Sequence, residues 1–210
     1  AGNASRAFRW TQATGMVSLG ALNGGNFSTA SGVNADGSVV VGEAADGAVN
    51  AYRAFRWTQP TGMQSLGVLN GGSSSAAHDV NADGSVVVGQ AYDGSAGNAR
   101  RAFRWTEATG MISVEEWLRN SGVTVASDFT YEARGGSADG SVVAGQSVSG
   151  SSFIARVSSV GSGVIDMNEF AGSLAVKPSA YVGVNYAGTV LNGAHGEPMR
   201  NLLDVGQQSI

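Results

Sequence analysis

Few side chains in this sequence are suited to chemistry, and their spacing sets what chemistry is open to it. There is no cysteine to serve as a nucleophile. The only histidines, His78 and His195, have no motif partner near them. A serine nucleophile would need such a His together with a positioned acid, and no G-x-S-x-G elbow surrounds any serine. Among carboxylates, Glu115 and Glu116 are adjacent, so on a helix they point in different directions. Asp166 and Glu169 flank Met167 and Asn168. Glycoside hydrolysis needs two carboxylates about 5–10 Å apart across a sugar, a separation that sequence spacing does not supply. The run Asp79-Val80-Asn81-Ala82-Asp83-Gly84 matches D-x-N-x-D-G, the first half of a calcium loop. Its twelfth position falls on Gln90 instead of the bidentate Glu such a loop requires, and Gly32 stands in the first copy where Asp79 stands in the second. The other reading is structural: Asn and Asp make turn hydrogen bonds and Gly accepts a positive φ. No catalytic residue, cofactor or metal ligand is assigned on these grounds.

The residues that recur are of another kind. The stretch RAFRWTQATGM at 6–16 returns as RAFRWTQPTGM at 53–63 and as RAFRWTEATGM at 101–111. Arg9, Arg56 and Arg104 repeat within it, as do Trp10, Trp57 and Trp105. Asp36, Asp83 and Asp139 repeat in a second motif, NADGSVVVG or its variant SADGSVVAG. A charge repeated inside a strand implies a repeated structural task. The expectation is a pairing of these arginines with the repeated aspartates, because a guanidinium offers a rigid set of donors to a carboxylate. The functional alternative is a ring of positive charge gripping an anionic glycan. The tryptophans share a strand face with Phe8, so core packing is expected of them, and Trp117 is the candidate for an exposed contact.

These residues need elements to hold them. In RAFRWT, Phe8 and Trp10 fall on one strand face, Arg9 and Thr11 on the other. A turn closing at Gly15 leads to a second short strand, MVSLGAL. ASGVN is a third strand, ADG a hairpin turn, and SVVVGEA a fourth strand. The Trp spacings are 47 and 48 and the Asp spacings 47 and 56. Four short strands in a period near 47 are the size of a propeller blade, and such a unit cannot bury its own apolar face alone. Residues 183–193, GVNYAGTVLNG, align without a gap on 32–42, GVNADGSVVVG. The C-terminal part thus holds an ADG-type hairpin around Ala187, and the N-terminal part an RAFRW-type hairpin. The expected fold is an all-β propeller of about four units with complementary terminal half-blades over residues 1–193, followed by a linker at 194–210. Ring closure, a longer propeller and head-to-tail pairing between chains all remain open. The third interval departs from the pattern: Glu115–Asn120 reads as one or two helical turns ended by Gly122, and SFIARV at 152–157 reads as a worn copy of RAFRWT.

Composition narrows the classes further. With 32 Gly and 42% hydrophobic residues, the chain suggests tight turns between short strands, not disorder. A net charge of -4 excludes the basic footprint of a nucleic-acid binder. No apolar run approaches the roughly 18 residues of a membrane helix.

AFRWTxxTGMxSLGxLNGG followed by VNADGSVVVG resembles the HAF-type extracellular repeat of bacterial secreted proteins and autotransporter passengers. The resemblance covers most of residues 6–193. EEWLRNSGV and VLNGAHGEPM resemble the end of such an array and its link to an outer-membrane barrel, which is expected beyond the C-terminus of the full-length protein. The resemblance implies an extracellular or cell-surface passenger; it implies no reaction, since no catalytic residue set is carried over, and no cofactor is expected. The expected function is non-enzymatic adhesion or scaffolding, with a surface glycan or protein as partner and loops such as Asn23–Thr29 and Asn70–Ala76 as the contact surface. Self-assembly into a filament, or a homo-oligomer, through intermolecular half-blade pairing is the second possibility. A hydrolase at the propeller mouth is the third.

Overall fold

The computed structural model describes residues 4–125 and 128–157, together with two strands at 181–184 and 190–193. Among the described residues the chain is all-β apart from one short helix and one 3-10 turn. The first hairpin is β1 (Phe8–Thr11) and β2 (Gly15–Ser18), and it stands as a two-stranded sheet. Two four-stranded antiparallel sheets follow. One comprises β3 (Ser28–Val33), β4 (Val39–Asp46), β5 (Ala51–Thr58) and β6 (Gly62–Ser65). The next comprises β7 (Ser75–Val80), β8 (Val86–Asp93), β9 (Ala99–Thr106) and β10 (Gly110–Ser113). Helix α1 (Val114–Asn120) then leads to a three-stranded sheet of β11 (Thr130–Gly136), β12 (Val142–Ser147) and β13 (Ser152–Arg156). Strands β14 (Tyr181–Val184) and β15 (Val190–Gly193) pair as a further two-stranded sheet. Each four-stranded sheet therefore begins with the ADG-type hairpin and continues into the RAFRW-type hairpin. This is the phase at which residues 8–18 are left as the second half of a unit and residues 181–193 as the first half.

The turns follow from their residues. Gly37, Gly84 and Gly140 close the ADG turns with φ of +72°, +78° and +70°, a region where a side chain would be strained. Buried Asn34 and Asn81 clamp the base of their hairpins: the Oδ1 of each accepts from the N–H of Val39 or Val86, at 2.8 Å in both. Ser137 does the same for Val142 with its hydroxyl, at 3.0 Å. Strands β3, β7 and β11 bulge at one equivalent place, between Ala30 and Gly32, Ala77 and Asp79, and Ala133 and Gly135. His78 is the extra residue of the second bulge, and for that reason the first copy can carry Ser31 there.

The core lies between the sheets. Val39, Val41 and Ala54 of one sheet share a buried cluster with Ala77, Val80, Val87 and Phe103 of the next. Val40, Ala44 and Phe55, on the opposite face of the first of these sheets, pack on Ala7, Leu19 and Leu22 of the hairpin before it. A strand covered on both faces has no need of polar alternation, which explains the unbroken Val run of SVVVG. Each fully buried Phe among the described residues lies opposite a glycine across the strand pair: Phe55 opposite Gly42, Phe103 opposite Gly89, and Phe153 opposite Gly145. A Cβ at Gly42 would overlap the Thr29 carbonyl oxygen and press on the Phe55 ring. The third pair shows that SFIARV is a copy displaced by one residue from its gapless alignment, with Phe153 in the place of Phe55.

Helix α1 forms where its sequence predicts. The Ser113 hydroxyl accepts from the N–H of Glu116 at 3.0 Å, Glu115 and Glu116 occupy the positive first turn, and Gly122 follows at φ +85°. Its stripe of Val114, Trp117 and Leu118 is buried in the cluster that holds Phe153. Trp117 is thus a core residue and not an exposed contact: the 3.6-residue repeat puts it on the face of Val114 and Leu118.

Candidate functional site

The repeated arginines make the joints between units, but not with the aspartates. Arg56 Nε donates to the carbonyl of Gly84 at 3.0 Å, and an Arg104 Nη donates to the carbonyl of Gly140 at 3.4 Å. Each arginine thus reaches the ADG turn of the following unit and bonds to the backbone beside the Asp. No ion pair joins Arg9, Arg56 or Arg104 to Asp36, Asp83 or Asp139 among the described residues. The aspartates serve their own turns. Asp36 and Asp83 accept from the N–H groups of Ser38 and Ser85 at 2.8 and 2.9 Å, and Asp139 from that of Ser141 at 3.0 Å. Hydrogen bonds to Ser38 and Ser85 hold the Asp36 and Asp83 carboxyls below the usual carboxylate range. The Ser137 hydroxyl, with Ser141, brings Asp139 down to about 2. Arg104 also lies over the indole of Trp117, its guanidinium carbon 5.0 Å from the ring centre, and burial lowers its pKa.

The other repeated arginines bond to loop carbonyls. Arg6 reaches Gly25 at 2.9 Å and Arg53 reaches Ser73 at 2.7 Å. The third counterpart, Arg101, stands 3.5 Å from the Asp128 carboxylate. The ADG turns also bond directly to one another: the N–H of Ala35 donates to Ala82 at 3.2 Å, and that of Ala82 to Ala138 at 3.0 Å.

The residues singled out for chemistry do not converge. His78 Nδ1 is 2.8 Å from the Ala133 carbonyl, a contact between sheets. Buried Glu115 accepts from the N–H groups of Phe129 and Thr130 at 2.9 and 2.7 Å, so it anchors the segment after the helix, while Glu116 is exposed. The three residues of the calcium-like run are each taken up by protein groups: Asp79 by the N–H of Gly136, Asn81 by Val86, Asp83 by Ser85. Among the described residues no three His, Cys, Asp or Glu side chains are grouped to hold a metal. His195, Asp166, Glu169 and the linker at 194–210 lie outside the described residues.

The rim loops are less free than their sequence suggests. Ser28 and Ser75 are buried, accepting from the N–H of Ala7 and Ala54 and donating to Gly20 and Gly67. Asn23 and Asn70 are tied to Asp46 and Asp93 at 2.8 and 3.0 Å. The Asn-Gly-Gly sequences read as adaptable contacts, yet they are the ties between one hairpin and the next sheet.

A surface groove with room for a ligand lies elsewhere among the described residues, beside the outer hairpin turns. Arg9, Ser38, Trp57, Gln59 and Pro60 line an open groove of about 570 Å³ between the first hairpin and the following sheet. Trp57 is half-buried against the cluster of Val40 and Phe55, and Trp105 is placed alike in the next unit. Trp10, by contrast, is 64% exposed and Phe8 53% exposed. Core packing was expected of all three tryptophans. It is not met at Trp10, because among the described residues no ADG-type strand is paired to β1. In the groove Arg9 stands in the position that Arg56 and Arg104 occupy at the next two joints, and among the described residues it makes no bond to the Gly37 turn. The sequence signal for this groove was the Trp of each RAFRW copy and the turn Gln of the first two, which the repeat alone did not distinguish from core.

No family model matches the chain, and no curated protein matches it. Among solved structures, TolB from Acinetobacter baumannii is similar over 70% of this chain and 34% of its own length, with 14% identity and a TM-score of 0.43. The chain therefore spans about a third of that protein, and a likeness of this degree carries no weight for fold or function.

Proposed function

We propose that this chain is a propeller-type array of extracellular repeats that acts by binding at its surface and not by catalysis, as a passenger displayed outside a bacterial cell. The structural support is the repetition of one joint, Arg56 to Gly84 and Arg104 to Gly140, with the matching chain of turn bonds from Ala35 through Ala82 to Ala138. It makes each unit a spacer between like units and sets the outer turns at Gln12, Gln59 and Glu107 on exposed corners.

The observation that carries the binding reading is the groove beside Trp57. An indole face, a guanidinium, an amide and a hydroxyl suit a sugar, whose ring stacks on aromatic carbon while its hydroxyls meet polar groups. The resemblance to HAF-type repeats agrees with a glycan-contacting role at a surface. The test is retention of the purified chain on a panel of immobilised oligosaccharides. Saturable binding weakened about five- to tenfold by Gln59→Ala, the loss of roughly one hydrogen bond, is the expected result. Gln59 is exposed, so that variant leaves the sheet intact. Absence of binding to any sugar, or binding indifferent to Gln59→Ala and Arg9→Ala, would contradict it.

A further inference from the structure

We infer that the strand Val190–Gly193 of the same chain docks on the open edge of Phe8–Thr11 and completes a fourth four-stranded sheet in the order β14-β15-β1-β2. The inference does not depend on what the groove by Trp57 binds.

Three observations carry it. First, an apolar hairpin is left uncovered: Phe8, Trp10, Met16 and Val17 are 53, 64, 68 and 46% exposed. Their counterparts in the next unit, Phe55, Trp57 and Met63, are fully or half buried. Second, the structure shows three times what covers such a hairpin. Strands β4, β8 and β12 each follow an ADG-type turn, and each pairs antiparallel with the Phe-bearing strand, with Gly42, Gly89 or Gly145 opposite the Phe. Third, the two halves of a fourth such pair are both present. β14 and β15 form an ADG-type hairpin whose sequence aligns on 32–42 without a gap, which places Gly193 in the position of Gly42. Transferring the register of Val39–Gly42 on Phe55–Thr58 pairs Val190 with Thr11, Leu191 with Trp10, Asn192 with Arg9 and Gly193 with Phe8. A glycine at the last position matters because a Cβ at the equivalent Gly42 or Gly89 would crowd the neighbouring strand and the Phe ring; Gly193 faces Tyr181 of β14 as Gly42 faces Ala30.

The occupant is the chain's own segment and not that of a second copy. Residues 157–180 join β13 to β14; a tether of that length spans up to about 80 Å when extended. It holds the hairpin at an effective concentration near the millimolar range, which intermolecular pairing does not match at ordinary protein concentrations. Pairing also removes an exposed apolar edge, the feature that otherwise drives sheets to join between molecules.

The absence of cysteine makes the test direct. The full chain carrying Arg9→Cys with Asn192→Cys should form an intrachain disulfide under mild oxidation and stay monomeric. The out-of-register pair Arg9→Cys with Val190→Cys should not. A reduced in-register pair, equal cross-linking of both pairs, or disulfide-linked dimers would each overturn the proposal. Hydrogen exchange supplies an independent reading. The amides of Phe8–Thr11 should be protected in the unmodified chain and should exchange about tenfold faster or more in Gly193→Val, where the added side chain overpacks the Phe8 site. Unchanged exchange in that variant would overturn it as well.

Discussion

At the residue scale, the glycine facing each buried phenylalanine does more to specify the unit than the tryptophan that marks the repeat. The ring occupies the space above a bare Cα, and the bulge in the adjoining strand brings a carbonyl to the other side. Gly89→Ala should therefore cost roughly 1–3 kcal/mol or more, because the atoms it meets are the Ala76 carbonyl and the Phe103 ring and backbone cannot swing aside. A fall in the urea midpoint checks this. The turn aspartates act through charge. Asp139 is held at about 2 in the fold against an ordinary 3.8, so its ionised form is favoured by the native turn. Its contribution is complete above pH 3.8 and disappears as the pH falls through about 2. Asp139→Asn should thus flatten the loss of stability between those limits in an acid titration followed by circular dichroism, the effect being small because the carboxylate is exposed.

At the element scale, helix α1 replaces the SLGxLNGG connection of the other units. Its start is fixed by the Ser113 cap and its face by Val114, Trp117 and Leu118. Ser113→Ala should lower stability by about 1 kcal/mol and Trp117→Ala by about 3–5 kcal/mol. Thermal melts of the two variants check the order, and an equal effect would place the helix off the core. Strands, ADG turns and this helix were legible in the sequence because their signals are local: β-branched runs, Asp-Gly at the turn, a cap before an amphipathic stripe. The partners of Arg56 and Arg104 were not. Their acceptors are backbone carbonyls, which every residue carries, so the neighbouring Asp drew the inference to the wrong atom of the right turn. The exposure expected of Trp117 failed for a related reason. A Trp in an irregular insertion reads as surface until the strand it covers is known. The groove beside Trp57 was legible only as a set of repeated residues, since what sets it apart is the different setting of Arg9 at the first joint.

At the scale of the whole molecule, stability in such an array is a sum of unit terms and joints between neighbours. Here each joint has an apolar part, such as Val39 and Val41 against Ala77 and Val80, and a polar part in which one turn bonds to the next. The apolar part supplies most of the free energy, and the turn bonds fix the register of one unit on another. If the copies are equivalent modules stacked in this way, then Ala35, exposed in a hairpin turn, has an amide that only the next unit can protect. Residue-resolved hydrogen exchange of Ala35 and Ala82 tests this most directly. The stacking predicts that both exchange about a hundredfold more slowly than outer-turn amides such as that of Ala108, since exposing them requires neighbouring units to part. Exchange of Ala35 and Ala82 as fast as that of Ala108 would contradict it.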